Sequence, residues 1–124
     1  MITKLLDSVI IIDHLNSIDS ATEFLRQLDP SQTAVSVITR AEVLTGIEEG
    51  DLEIVTAMLN QFQTLIIDVP VSDLAAYLRR TQGWKLPDAF QAALAHHHQV
   101  SLVTRNTKNF NPRKHSFVEI PYTI

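Results

Sequence analysis

The sequence predicts an α/β fold in which about five mostly parallel strands form one sheet with helices on both faces. Short apolar segments rich in β-branched residues alternate along the chain with longer segments of helical periodicity. Most connections between strand segments are long enough to hold a helix, which parallel strands need. No internal repeat or linker interrupts this pattern, so we expect a single domain over residues 1–124.

The N-terminal third predicts a strand followed by two helices. Residues 3–6 form an apolar segment with the length and composition of a buried strand. The run Val9–Ile12 is also compatible with an extension of that strand, but its apolar spacing favours a helix over roughly 9–16. Ser20 and Glu23 have the spacing of a capping box, which predicts the start of a second helix.

The central part of the chain predicts two further strands, each associated with a helix. Alternating β-branched residues indicate the first of these strands, and an apolar triplet indicates the second. The predicted elements are a strand at 34–38, a helix from Thr39 to Gly46 or Gly50, a helix at 51–63 and a strand at 65–67.

The C-terminal part predicts two helices and two strands. Ser72 is expected to cap a helix that ends at Gly83, a residue type that commonly terminates helices. Pro87 and Asp88 are expected to begin the next helix, because proline and acidic residues are favoured in a first helical turn. That helix runs to about His98, and strands follow at 100–104 and 117–120.

Composition excludes several functional classes. The chain of 124 residues contains no cysteine, which excludes disulfide scaffolds, cysteine nucleophiles and thiolate zinc sites. Its three glycines are scattered, so there is no glycine-rich phosphate loop. The run Val9–Ile12 is too short to span a bilayer and lacks the flanks of a signal peptide. We therefore expect a cytoplasmic protein with no membrane partner.

Charge is distributed unevenly along the chain. Residues 1–75 contain three basic and twelve acidic side chains, for a net charge of −9, whereas residues 76–124 contain seven basic and two acidic ones, for a net charge of +5. A basic surface beside an acidic pocket would suit a phosphate-rich substrate. The alternative is that folding mixes the two parts and the asymmetry has no functional meaning.

Polar side chains follow the predicted strands, where ligands bind in open parallel sheets. They are Asp7 and Ser8 after the first strand, Thr39 and Glu42 after the second, Thr104, Arg105 and Asn106 after the fourth, and Asp88 at the start of the preceding helix. Convergence of Asp7, Glu42 and Asp88 would create repulsion that a cation relieves. Mg²⁺ or Mn²⁺ prefers such oxygen ligands and activates bound water for attack on phosphodiesters.

Each of the three acids also has a purely structural interpretation. Glu42 follows Thr39 by three residues and could complete a capping box. Asp88 lies in a first helical turn, where the helix dipole favours any carboxylate. Asp7 could simply end a strand, although its position directly after apolar residues makes this interpretation the weakest of the three.

Four sequence blocks that contain these residues carry a family resemblance. The blocks are Leu5–Leu15, Val37–Gly46, Leu86–Ala93 and Leu102–Phe110, and the ending Val118–Tyr122 agrees with them. In this order and spacing they resemble PIN-domain proteins, and among those the VapC-type toxins of bacterial toxin–antitoxin pairs. The resemblance covers the whole chain.

The resemblance implies a Mg²⁺- or Mn²⁺-dependent endoribonuclease with a PIN-like three-layer fold. By position, Asp7, Glu42 and Asp88 match the metal-binding and catalytic acids of the family. Members usually form homodimers, and a cognate antitoxin inhibits them by covering the acidic cleft. The implied partners are therefore RNA, an antitoxin and a second copy of the chain.

The resemblance also assigns residues around the acids. Ser8 matches a hydroxyl that supports the first acid, and we expect Thr39 and Thr104 to support the site as well. Asn106 falls where some members have a fourth acid and many have asparagine, so it joins the predicted catalytic set.

Two positions depart from the family pattern. Val9 replaces a residue that is often polar, and Asn109 replaces a frequent aspartate. The site therefore offers three formal negative charges rather than four or more. We accordingly predict one metal ion and leave a second one open.

The leading interpretation is a ribonuclease toxin that uses a metal-activated water. The alternative is a PIN-fold module that binds RNA or an antitoxin with weak or no cleavage, and a DNA nuclease would use the same chemistry. Basic side chains near the predicted site are candidates for contacts with the RNA backbone: Arg79, Arg80, Lys85, Arg105, Lys108, Arg113 and Lys114.

Overall fold

Five short strands form one parallel sheet in the computed structural model, which describes residues 1–124. The strands are β1 (Lys4–Leu6), β2 (Thr33–Ser36), β3 (Gln63–Leu65), β4 (Ser101–Val103) and β5 (Val118–Glu119). Their order across the sheet is β3-β2-β1-β4-β5, and every neighbouring pair is parallel. The predicted α/β class and five-stranded sheet are confirmed.

Six α-helices connect these strands. They are α1 (Ser8–Leu15), α2 (Asp19–Arg26), α3 (Val37–Thr45), α4 (Leu52–Leu59), α5 (Val69–Gln82) and α6 (Leu86–His98). Two 3₁₀ turns, at Pro30–Gln32 and Glu49–Asp51, precede β2 and α4. No helix combines the length and the apolar composition that a membrane span requires.

The helices form a layer on each face of the sheet, because successive strand residues point to opposite faces. Leu5 of β1 is buried among residues of α5 and α6, including Ala75 and Ala92. Its neighbour Leu6 is buried on the other face among residues of α1 and α4, including Ile10 and Leu59. The predicted three-layer arrangement therefore follows from alternation along a strand that is buried on both faces.

The centre of the sheet is a topological switch point. The chain moves from β1 outward to β2 and β3, then returns across the sheet to β4 and β5 on the other side of β1. Leu5 pairs with Ala34 of β2 and with Leu102 of β4. Ligands bind beyond the carboxyl ends of strands at such a point, and the residue that follows β1 there is Asp7.

Two helices begin earlier than the sequence indicates. Ser36 caps α3 by accepting a hydrogen bond from the Thr39 amide at 3.0 Å, so Thr39 lies within the helix instead of opening it. Asp68 caps α5 by accepting from the Val71 amide at 3.0 Å, whereas the predicted cap Ser72 lies inside the helix. In both cases a polar side chain nearer to the preceding strand provides the cap: Ser36 is the last residue of β2, and Asp68 lies three residues beyond β3.

The predicted capping box and the predicted third strand are also corrected. Helix α2 begins after Ile18 with no side-chain cap, and Glu23 instead forms an exposed ion pair with Arg26. Strand β3 lies two residues earlier than predicted and ends at Leu65, the partner of Ser36. Because β2 ends at Ser36, the ladder has no partner for Ile66, which is 68% exposed.

Candidate active site

A polar cleft lies at the carboxyl ends of β1, β2 and β4. Its volume is about 430 Å³, and only one of its nine lining residues is hydrophobic. The lining residues are Asp7, Ser8, Val9, Glu42, Asp88, Arg105, Asn106, Thr107 and Lys108. The three predicted acids thus share one cleft with Ser8 and Asn106, and two of the predicted backbone-binding cations lie at its edge.

Asp7 is the most buried of the three acids, with 6% of its surface exposed. Its Oδ1 accepts hydrogen bonds from the Ser8 amide at 2.9 Å and from Gln91 at 3.2 Å, and its Oδ2 accepts from the Thr104 hydroxyl at 2.8 Å. Burial raises the pKa of Asp7, while these donors partly oppose the shift and the negative charge of Asp88 adds to it. All donors to this carboxylate are neutral groups.

Gln91 on α6 connects, through hydrogen bonds, the elements that bear the three acids. It was not among the residues predicted from the sequence. It is 1% exposed, and besides Asp7 its amide donates to the Thr39 hydroxyl at 2.7 Å and accepts from Ser36 at 2.7 Å. Gln91 lies three residues after Asp88 on α6, on the same helical face. The available signal was a single polar residue within an otherwise apolar helical segment at 89–95.

Thr39 and Thr104, the predicted supporting residues, are completely buried beneath the cleft. The Thr39 hydroxyl bonds to the Leu6 carbonyl at 3.4 Å and accepts from Gln91, which links α3 to β1 and α6. The Thr104 hydroxyl accepts from the Asn106 amide at 3.1 Å while it donates to Asp7. Neither residue lines the cleft, so Thr104 acts on the site only by orienting the Asp7 carboxylate.

Glu42 lies on α3 at the mouth of the cleft, where it is exposed. Partial loss of hydration raises the pKa of Glu42. A hydrogen bond with Ser8 opposes this shift, and the negative charges of Asp7 and Asp88 add to it. The capping-box interpretation of Glu42 is wrong, because Ser36 is the cap and Glu42 is the sixth residue of the helix. A structural capping role therefore does not account for this acid.

Asp88 lies in the first turn of α6 and is held by Asn109. The Asn109 side-chain amide donates to Asp88 Oδ2 at 2.8 Å, and its backbone carbonyl accepts from Trp84 Nε1 at 3.1 Å. An aspartate at position 109 would place a second negative charge beside Asp88. The departure at Asn109 thus replaces repulsion with a hydrogen bond that fixes the third acid.

The three acids do not converge on a single point, which corrects the expected direct three-carboxylate cluster. No group of three acidic or histidine side chains is arranged to hold one ion directly. Asp7 is fixed by its partners below the cleft, Asp88 is fixed by Asn109, and Glu42 stands at the mouth. The donor set nevertheless fits Mg²⁺ or Mn²⁺, because these cations commonly bind one or two carboxylates and retain waters that reach other oxygens.

The seven candidate cations occupy different positions. Arg105 and Lys108 line the cleft, but Arg105 also forms a bidentate ion pair with Asp13 at 2.6 and 2.8 Å. Arg79 donates to the Trp84 carbonyl at 2.8 Å, which fixes the turn after α5. Lys114 lines a neighbouring cavity. The others are exposed side chains that do not line the cleft: Arg80, Lys85 and Arg113.

Comparisons with known proteins agree with this architecture. The family model described as PIN domain matches residues 4–113. A structure described as a toxin-antitoxin complex from Klebsiella pneumoniae is 35% identical with a TM-score of 0.87, covering 98% of this chain and 100% of that one. No curated protein matches significantly.

Two more distant structures share the fold. FitAcB from Neisseria gonorrhoeae is 24% identical with a TM-score of 0.80, covering 98% of this chain and 100% of that one. VapBC2 from Rickettsia felis, bound to a DNA fragment from its promoter, is 20% identical with a TM-score of 0.77, covering 95% of this chain and 98% of that one. The resemblance in the sequence blocks is confirmed, and the chain belongs to the PIN-domain family.

Proposed function

We propose that this chain is the toxin of a toxin–antitoxin pair and acts as a Mg²⁺- or Mn²⁺-dependent endoribonuclease. The observation that carries the proposal is the placement of Asp7, Glu42 and Asp88 around one polar cleft at the sheet's switch point. Membership in the PIN-domain family, whose members include nucleases of toxin–antitoxin systems, and similarity to a toxin–antitoxin complex support it. The substrate is RNA, and the bond hydrolysed is a phosphodiester.

The acids would bind the cation and keep it at the cleft. A bound divalent cation would supply Lewis-acid polarisation of the phosphoryl group and a lowered pKa for an attacking water. Asp7 would provide a rigid oxygen ligand, since three donors fix the orientation of its carboxylate. Glu42 at the mouth is more exposed than Asp7, has a hydrogen bond only with Ser8, and would complete the ligand set directly or through water.

The surrounding residues would orient the carboxylates and the substrate. Asn109 donates to Asp88 Oδ2 and would orient this ligand before the cation binds. Lys108 at the edge of the cleft would attract the phosphate and offset the charge of the three acids. Asn106 lines the cleft and would contact the RNA or the hydrated cation through its amide.

The proposed antitoxin would inhibit by placing a cationic side chain in the cleft. An arginine matches the geometry of two carboxylates and would take the cation's place between Asp7, Glu42 and Asp88. Antitoxin affinity should then fall as Mg²⁺ rises, beyond the effect of a monovalent salt at matched ionic strength. The same affinity in both salts would place the inhibitory contact elsewhere.

The proposed homodimer has support from exposed apolar side chains on α5 and α6. Tyr77 is 53% exposed and Leu86 is 46% exposed, although both belong to helices that pack on the sheet. Light scattering should give a dimer for the purified chain. The double variant Tyr77→Lys/Leu86→Lys should be monomeric if the interface includes these residues.

The proposed activity is tested by cleavage of a mixed RNA pool with Mg²⁺, with Mn²⁺ and with excess EDTA, followed by mapping of the new ends. Cleavage should require a divalent cation, and Asp88→Asn should remove it while the protein remains folded. The matched control is Glu48→Gln, which removes an exposed carboxylate outside the cleft. RNA binding without any metal-dependent cleavage would instead support the binding-module interpretation.

A further inference from the structure

A second polar cavity lies beside the acidic cleft. Its volume is about 270 Å³, and it lies between the turn after α5 and the segment that connects β4 to β5. Two of its lining residues also belong to the surroundings of the cleft. Lys108 lines both cavities, and Asn109 lines this cavity while its side-chain amide donates to Asp88. The two cavities are therefore adjacent, with Lys108 between them.

The charge of the second cavity is opposite to that of the cleft. Lys108 and Lys114 line it, no carboxylate does, and neither lysine takes part in an ion pair. His115 and the Asn111 amide add further polar groups. A cavity lined by two lysines that form no ion pair attracts an anion, whereas the neighbouring cleft, which three acids line, attracts a cation.

The walls of this cavity are held by buried contacts. Trp84 is 6% exposed, stacks at a tilt on Phe110 with ring centroids 4.9 Å apart, and bonds to the Asn109 carbonyl. Gly83 ends α5 in the left-handed conformation with φ of 76°, which turns the chain without a side chain in the cavity wall. The shape is thus present before a ligand binds.

A third cavity, which shares Arg105 and Thr107 with the cleft, is less suited to an anion. Its volume is about 190 Å³, and Tyr122 and other residues of the C-terminal segment line the rest of it. Half of its lining residues are hydrophobic, and its one cation already pairs with Asp13. An anionic polymer that leaves the cleft is therefore drawn toward Lys108 and Lys114.

We propose that the second cavity binds the sugar–phosphate backbone of single-stranded RNA that flanks the scissile bond on one side. The inference rests on the proposed nuclease function and gives the strand a direction across the site. Lys108 bridges the scissile and flanking phosphates, and Lys114 binds the flanking phosphate. Contacts with backbone and not with base edges predict little dependence on the flanking sequence.

Binding without cleavage provides the first test. A fluorescein-labelled oligouridine of about 12 nucleotides is titrated with the full chain in EDTA at several salt concentrations, with fluorescence anisotropy as the readout. Lys114→Ala should weaken binding several-fold and reduce the slope of log affinity against log salt by about 0.7. The charge-matched control Arg26→Ala removes an exposed cation on α2, outside both cavities, and should leave the slope unchanged.

Cleavage with substrates of different length provides the second test. RNA oligomers are extended by a few nucleotides on the 5′ or the 3′ side of a mapped cleavage site. Extension on one side only should lower KM several-fold for the unchanged chain, and Lys114→Ala should lose that gain while kcat is retained.

The outcomes separate this inference from the proposed function. If the chain cleaves RNA but extension on either side has no effect, or Lys114→Ala and Arg26→Ala weaken binding equally, the subsite is refuted while the nuclease assignment remains. If no RNA is cleaved, the proposed function fails, and the anisotropy experiment still decides between a specific effect of Lys114 and none.

Discussion

Two buried aspartates at α1 have opposite electrostatic surroundings. Asp7 caps the helix and is 6% exposed, and Asp13 lies within it and is 4% exposed. Asp7 accepts hydrogen bonds only from neutral donors. Asp13 instead receives two hydrogen bonds from the Arg105 guanidinium and one from the Tyr122 hydroxyl at 2.9 Å.

The pKa values of the two carboxyls consequently shift in opposite directions. Burial raises the pKa of Asp7, because neutral donors compensate only part of the lost hydration. The hydrogen bonds from Arg105 lower the pKa of Asp13 despite its burial. Low exposure of both carboxyls therefore does not imply equal roles: Asp13 has its counter-charge within the protein, whereas Asp7 has only neutral donors and, in the proposed function, would bind a divalent cation.

The largest expected effect comes from Asp7→Asn. Cleavage should fall by about 10³-fold, or ~4 kcal/mol of transition-state stabilisation, because a charged ligand is lost. The fold should remain, since asparagine can still accept from the Ser8 amide and donate to the Thr104 hydroxyl. Cleavage rate and thermal midpoint are measured on one preparation.

The raised pKa of Asp7 also predicts the direction in which Asp7→Asn changes the stability of the fold. A carboxyl whose folded pKa is raised binds more protons when folded, so it costs stability as pH rises above its ordinary value of 3.8. The variant should therefore be at least as stable as the unchanged chain at neutral pH. A clear fall in the thermal midpoint would show that Asp7 is primarily a structural residue.

Arg105→Met should be the most damaging to stability. It leaves Asp13 buried without its counter-charge, and we expect a loss of about 2 kcal/mol, reduced from the value for a fully buried pair because the arginine side chain is 31% exposed. Urea denaturation measures the change. The double variant Asp13→Leu/Arg105→Met removes both charges and should recover most of the loss, and equal destabilisation in both would disprove the role of the ion pair.

The contribution of Asp13 to the unfolding free energy should change with pH in the direction opposite to that of Asp7. Because its folded pKa is lowered, Asp13 stabilises the fold above its ordinary pKa of 3.8, and this contribution is lost as pH falls through the lowered value. The difference in unfolding free energy between the unchanged chain and Asp13→Asn should thus be constant near neutrality and shrink below about pH 4. A difference that is independent of pH would contradict the ion-pair account.

Tyr122→Phe should have the smallest effect. It removes one hydrogen bond to Asp13 and keeps the ring contact with Phe24, whose centroid lies 6.3 Å away. A loss of about 1.5 kcal/mol is expected, at the lower end of the range for a hydrogen bond to a charged group, because Arg105 continues to bind the carboxylate. Cleavage should be nearly unchanged, since Arg105 still holds Asp13, and a large loss of activity would show that the C-terminal segment acts directly in the site.

The elements that the sequence predicted well are those with a strong local signal. The three acids follow strands or open a helix, so their common edge followed from parallel topology alone. Gly83 ends α5 as predicted, because only the left-handed turn allows that chain reversal. Helix starts were less accurate. By residue type, Ser36 and Thr39 are both acceptable caps for α3, and Asp68 and Ser72 are both acceptable caps for α5, so only the folded backbone decides between them.

The sequence by itself determined the fold class, the order of elements and the set of acids, because periodicity and chain order are local properties. Only the tertiary structure decided which polar residues meet: Gln91 with Asp7 over 84 positions, Asn109 with Asp88 over 21, and Arg105 with Asp13 over 92. These contacts make Asp7 a carboxylate with neutral donors only and Asp13 a carboxylate with a cationic partner inside the protein. Such a distinction depends on distances of a few ångströms between remote segments, which no local pattern encodes.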